Sequence, residues 1–181
     1  MSWSDNIKDK LPEYAKDIKL NLDAIVNRSS FAPEEVLYIS IAAAFAAGNA
    51  ELMGSLTLQA TDVQERDAAL AAGAVMAQNN IWYPYLDMVD DESLKGLPAQ
   101  LRMNTIASHG GTTKEKFEAY SLAASIIGKC HLCVKAHYAE LKKQGYAVEQ
   151  LRDIGRISST IHALSKIYYA EQYRIRRQPV G

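Results

Sequence analysis

The sequence predicts an all-α protein. Helix-forming Ala, Leu, Glu, Lys and Gln dominate it, and alternating β-branched runs are missing. Its apolar residues recur at steps of three or four between proline, glycine and capping signals. The chain has 181 residues, 48% hydrophobic and 23% charged, which suits one domain with its own core. No linker rich in Pro, Gly or Ser divides it, so residues 1–181 read as a single domain.

The elements follow in order. A first helix is expected from Pro12 to Asn27, with Leu11, Tyr14, Ile18, Leu22 and Ile25 on one buried face. Pro33 with Glu34 and Glu35 opens a second, because proline suits the first turn and carboxylates the positive helix end. That helix is apolar almost all round as far as Ala47, and Gly48 ends it. A third is expected over Ala50–Ala60. A fourth runs from Thr61 and Asp62 toward Tyr83, where Pro84 intervenes. Residues 87–98 read as irregular and acidic, and Ser108-His109-Gly110-Gly111 as a turn. Thr112-Thr113-Lys114-Glu115 signals a capped helix reaching Ile127, with Gly128 as its stop. Another helix spans Cys130–Gln144 and ends at Gly145; the last spans Val148–Arg174.

Residues 33–86 and 113–174 share an order of elements, each an alanine-rich helix, a shorter one and a longer one. The longer ones end in Ala77-x-x-x-Ile81-Trp82-Tyr83 and Ala163-x-x-x-Ile167-Tyr168-Tyr169. This reads as two degenerate repeats offset by about 80 to 86 residues. The cysteines have no counterparts near Ala50 and Met53, so one half would be scaffold and the other would carry the chemistry.

Charge excludes several partners. A formal net charge of -1 gives no electrostatic case for nucleic acid or an anionic membrane. Arg174, Arg176 and Arg177 read as a solvated tail. No apolar run approaches the roughly 20 residues of a membrane span. Met1 to Asp5 is polar and does not resemble a signal peptide, so a cytoplasmic, thiol-reducing setting is expected. Two cysteines three apart in that setting point to redox or metal chemistry rather than a structural staple.

The informative segment runs from Glu118 to His137. Cys130 and Cys133 have the Cys-x-x-Cys spacing that can close into a disulfide ring. A helix N-terminus lowers a thiol's pKa through unpaired N–H groups and the positive dipole end, and Lys129 adds positive charge. His137 shares a helix face with Cys133, four residues on, and can take its proton. Glu118 precedes them on another helix; if the two helices form a hairpin it can approach His137 or Cys130 and orient the imidazole or relay a proton. The competing readings are a pair of small buried residues and a zinc site made of Cys130, Cys133, His137 and Glu118. A structural zinc site usually has a second close pair, which this chain lacks, so no metal is expected. Haem attachment would need histidine where Val134 stands, and a thioredoxin fold would need strands. His131, between the cysteines, reads as a modest tuner, and His109 and His162 as structural.

The pattern Glu118-x11-Cys130-x-x-Cys133-x3-His137 between alanine-rich helices resembles the AhpD branch of the carboxymuconolactone decarboxylase-like family. The resemblance extends through the N-terminal helix, Ile41 to Ala47 and Asn79-Asn80-Ile81-Trp82-Tyr83. Its members often place histidine directly before the second cysteine; here Leu132 stands there and histidine is at 131. The resemblance implies a helical, commonly homotrimeric protein that reduces organic hydroperoxides and returns AhpC-type peroxiredoxin to its dithiol. Electrons would come from the lipoyl group of an acyltransferase and its dihydrolipoamide dehydrogenase, with no cofactor bound by the chain itself. It further implies Cys133 as the peroxidatic cysteine that becomes a sulfenic acid, Cys130 as resolving thiol and proton donor, a Cys130–Cys133 redox disulfide, His137 as base and Glu118 as proton relay. The helix-end position alone would favour Cys130 as the more reactive thiol, whereas the histidine one turn on favours Cys133. Cys133 is therefore assigned to peroxide and Cys130 to exchange with lipoyl thiols. Rival functions are a lactone decarboxylase or isomerase of the same family, and a zinc-binding or assembly protein.

Overall fold

The computed structural model describes residues 3–105 and 110–176, without the side chains of residues 175 and 176. His109, Arg177 and the Ser108 end of the expected turn lie outside the described residues. Those residues form α-helices joined by short connections, with one 3-10 turn and no strand among them. A short α1, Asp5–Lys8, and the 3-10 turn Glu13–Ala15 precede α2, Lys16–Asn27. Then come α3, Pro33–Ala47; α4, Ala50–Thr57; α5, Val63–Val89; and the single turn α6, Glu92–Lys95. After the connection come α7, Lys114–Gly128; α8, His131–Lys143; and α9, Val148–Arg176.

The two alanine-rich helices form the centre. Every residue of α3 from Val36 to Ala44 is buried, as is every residue of α7 from Phe117 to Ser125. Small side chains let helices approach closely, so each of these two can be covered on several sides. The helices α5, α7 and α9 all pack on α3, and α5, α8 and α9 pack on α7. Leu22, Ile25, Ile154, Ile157 and Ile161 close the core from α2 and α9.

Buried polar groups lock these layers. Glu65, near the start of α5, receives hydrogen bonds from Thr112 (2.6 Å), from the Lys116 ammonium (3.0 Å) and from the Tyr120 hydroxyl, which ties α5 to α7. Burial and the facing carboxylate push the Tyr120 hydroxyl's pKa upward. Asp153 of α9 accepts from the Ser30 N–H (2.8 Å) and hydroxyl (2.9 Å) and from Arg156 (2.8 Å), fastening the α2–α3 connection.

Several boundaries differ from the sequence reading, each for a local reason. The helix expected from Pro12 begins as α2 at Lys16, after α1 and the 3-10 turn, and Tyr14 is 63% exposed with its hydroxyl on Glu171 rather than in the core. Pro84 does not end α5, which continues to Val89. A proline inside a helix removes one hydrogen bond without forbidding continuation. Gly128 is not a stop signal but the last helical residue of α7, while Lys129 takes the left-handed conformation with φ 55°. The pairs Lys129 N–H to Ile126 O (3.2 Å) and Cys130 N–H to Ser125 O (3.3 Å) make a Schellman motif around it. What Gly128 supplies is room: a Cβ there would stand 2.2 Å from Nδ2 of Asn80. No described helix is long and apolar enough to cross a membrane.

Candidate active site

The left-handed Lys129 turns the chain sharply between α7 and α8. Cys130 then becomes the N-cap of α8, its Sγ accepting the Cys133 N–H at 3.2 Å. Both sulfurs thus lie in the first turn, where unpaired N–H groups and the helix dipole favour a thiolate. They are joined as a disulfide with the Cα atoms 5.3 Å apart. Cys130 has no exposed surface, whereas Cys133 is 5% exposed and opens onto a pocket. The Cys133 sulfur stands 3.7 Å from the Asn79 carbonyl oxygen of α5.

The α7–α8 hairpin brings Glu118 back onto α8, as the order of elements implied. Its Oε2 is 2.6 Å from Nδ1 of His137, with both side chains largely buried. A carboxylate at Nδ1 fixes the ring's orientation and tautomer. The ring's other nitrogen, Nε2, faces the Met76 thioether at 3.2 Å, so in this disulfide state neither ring nitrogen is bonded to Cys133. Cys133 and His137 nevertheless line one pocket of about 520 Å³.

The structure therefore brings together Glu118, Cys130, Cys133 and His137. It does not bring His131 to the pocket: that ring is exposed and lies 3.5 Å from Asp87 near the end of α5. His162 is half-buried in α9 and its Nδ1 has no partner; burial, then Lys166 and Lys129, push its pKa down. Arg174 is exposed and paired with Glu171. Among the described residues no three of His, Cys, Asp and Glu are grouped as a metal would need. The four candidate zinc ligands instead engage one another, sulfur to sulfur and imidazole to carboxylate.

Residues the sequence reading did not assign to the site come from α5 and the connection after α6. Met76, Asn79 and Tyr83 are spaced as one helix face and line the pocket with Met103 and Leu132. That spacing was available in the sequence; nothing local marks Met103. Asn80, one residue round from Asn79, donates to the Ala124 carbonyl of α7 at 3.2 Å and fills the space above Gly128.

Comparison with known proteins agrees with this geometry. Residues 93–173 match the sequence model of the Carboxymuconolactone decarboxylase family. A protein named alkyl hydroperoxide reductase AhpD from Rhodospirillum centenum is 39% identical over 91% of this chain and 90% of its own length. Proteins of the same name from Gluconacetobacter diazotrophicus and Coxiella burnetii are each 36% identical, over 89% and 91% of this chain and 90% and 96% of their own lengths. A dithiol at a helix start, a histidine–carboxylate pair and this similarity along nearly the whole chain together place the protein in the AhpD branch of the carboxymuconolactone decarboxylase family.

Proposed function

We propose that the protein is a thiol-dependent alkyl hydroperoxide reductase that cycles between the Cys130/Cys133 dithiol and disulfide. The observation that carries this reading is Cys133 opening onto a pocket beside the His137–Glu118 pair. Opening the disulfide frees the Cys133 sulfur, and His137, one turn on along α8, exchanges Met76 for it and takes its proton. The Cys133 thiolate attacks the hydroperoxide, the O–O bond breaks, and Cys133 becomes a sulfenic acid. His137 returns a proton to the departing alkoxide, giving the alcohol. Cys130 then attacks the sulfenic sulfur; the disulfide closes and water leaves. Glu118 accepts from Nδ1 throughout, holding the ring and relaying the proton.

The disulfide is reopened by two thiols of a dihydrolipoyl group on an acyltransferase, itself served by dihydrolipoamide dehydrogenase. The lipoyl group becomes the cyclic disulfide as the protein regains its dithiol. The same dithiol returns oxidised AhpC-type peroxiredoxin to its reduced form by exchange. We assign this cycle to the cytoplasm, where such reductants persist. We also infer a homotrimer: Ile81, Tyr85 and Met88 on the second half of α5 expose large apolar side chains that copies of the chain can cover.

The test is steady-state consumption of tert-butyl hydroperoxide with dihydrolipoamide as reductant, together with re-reduction of oxidised AhpC. The reading expects turnover that Cys133→Ser abolishes. Fully reduced wild-type protein that consumes no hydroperoxide would overturn it.

A further inference from the structure

The helix that starts at the disulfide has two unlike flanks. On α8, Cys133, His137 and Leu141 turn inward at four-residue steps, toward α5 and α7. On the other flank Leu132, Lys135, Ala136, Ala139, Lys142 and Lys143 recur at steps of three and four, and all are exposed. Among the described residues no salt bridge holds any of these three lysines. Glu140, the one carboxylate of α8, is half-buried and is taken by the Lys114 ammonium at 2.6 Å. Asp87 faces His131 in the first turn, about three turns along the helix from Lys142. A chain of net charge -1 thus gathers uncompensated positive charge on one face of the helix that carries its disulfide.

That face reaches the mouth of the pocket. Leu132 and Ala136 belong to both, being exposed and lining the pocket of about 520 Å³ with Cys133 and His137. Inside, Cys130 has no exposed surface and Cys133 only 5%. A thiol seated on a rigid protein surface cannot bring its backbone that far in. A thiol on a long, slender arm can, while the body that bears the arm stays outside against α8. Lysines there attract carboxylates on such a body and orient its approach.

We propose that the exposed face of α8, from Leu132 to Lys143, is the docking surface for the protein that reopens the disulfide: a carrier whose dithiol sits on a flexible arm and whose surface around that arm is acidic. This rests on the reductase reading above, and adds where the donor lands and what charge it bears. Leu132, Ala136 and Ala139 give the carrier an apolar footing beside the lysines. Exposed ion pairs add little to equilibrium affinity, so the lysines act chiefly on the rate of encounter. The exchange balances: two thiols of the arm become one disulfide, Cys130–Cys133 becomes two thiols, and two electrons and two protons pass between them.

The experiment compares a donor that has a body with one that has none. Reduction of the disulfide is timed with the lipoyl-bearing acyltransferase, kept reduced by dihydrolipoamide dehydrogenase and NADH, and separately with free dihydrolipoamide, which is uncharged. Raising the ionic strength from about 10 mM to about 0.15 M shortens the Debye length from about 30 Å to about 8 Å. Over that range the acyltransferase rate is expected to fall about tenfold or more, and the dihydrolipoamide rate to stay within about twofold. The triple variant Lys135→Gln, Lys142→Gln, Lys143→Gln is expected to lose about tenfold of the low-salt acyltransferase rate and most of its salt dependence, with the dihydrolipoamide rate unchanged. Arginine at the same three positions is expected to restore the wild-type rates, since it keeps the charge. All three side chains are exposed, and the dihydrolipoamide rate reports on the cysteines in every variant. Salt-independent reduction by the acyltransferase, or an equal loss with both donors in the glutamine variant, overturns the docking surface. So does a loss seen only in the re-reduction of oxidised AhpC, which would give the face to the peroxiredoxin. A wild-type disulfide inert to both donors overturns the reductase reading and this inference together.

Discussion

Glu118 Oε2 lies 2.6 Å from His137 Nδ1, joining the N-terminal part of α7 to the middle of α8. Both partners are largely withdrawn from water, which strengthens a charge-assisted bond and makes its loss costly. Glu118→Gln keeps the shape and removes the carboxylate that holds His137 Nδ1. Peroxide turnover is expected to fall by about 10²-fold, the scale of a lost acid–base partner, with the melting temperature moving far less than activity. Steady-state kinetics beside a thermal melt checks this; wild-type turnover in the variant would remove Glu118 from the relay. His137→Phe is expected to lose at least as much.

Gly128 and Asn80 meet where α7 crosses α5. In Gly128→Ala the new Cβ meets Asn80 Nδ2 at 2.2 Å and its Cβ at 2.8 Å, so the asparagine must give up its bond to the Ala124 carbonyl. Overpacking of this kind costs roughly 1–3 kcal/mol. Urea unfolding of the variant should show that loss; unchanged stability would mean that the crossing can open freely.

Lys129 occupies a left-handed position that favours glycine. Lys129→Gly relieves a side-chain clash worth about 1 kcal/mol and gives back part of it in unfolded-state entropy. The variant is expected to be more stable than wild type by roughly 0.5 kcal/mol. A lower urea midpoint would show that the lysine side chain contributes contacts outweighing the strain.

Asp153 carries the clearest acid dependence. Burial raises its pKa, but the Ser30 N–H, Arg156, the Ser30 hydroxyl and Arg152 together hold it down at about 2. A folded-state value below the unfolded one stabilises fully above pH about 4, and that stabilisation is lost as pH falls toward 2. Asp153→Asn should therefore be less stable than wild type by about 2 kcal/mol at pH 7, with the gap closing in acid. A gap independent of pH, measured by urea unfolding at pH 7 and pH 2.5, would contradict the assignment.

The helices were legible in the sequence because capping signals and glycines bracket them, and α3 and α7 carry unmistakable apolar runs. The dithiol and its histidine were legible because helical spacing fixes i, i+3 and i+4 neighbours whatever the tertiary fold. The Glu118–His137 contact needed only the order of two helices. What could not be read depends on packing between distant segments. Met103 reaches the pocket through a connection with no period, and Gly128 looked like a helix stop because its partner Asn80 is 48 positions away by numbering. Pro84 misled for the opposite reason: local propensity argued for an end, and one missing hydrogen bond was not enough to make one.

The central claim is that Cys133 reacts with hydroperoxide and Cys130 resolves it. Mass-spectrometric thiol mapping of the reduced protein after one equivalent of tert-butyl hydroperoxide tests it most directly. The account predicts an intrachain Cys130–Cys133 disulfide in wild type, and in Cys130→Ser a sulfenic acid on Cys133 that a dimedone-type reagent traps. Thiols left unmodified, or a sulfenic acid found on Cys130 in Cys133→Ser with Cys133 inert in Cys130→Ser, would contradict it.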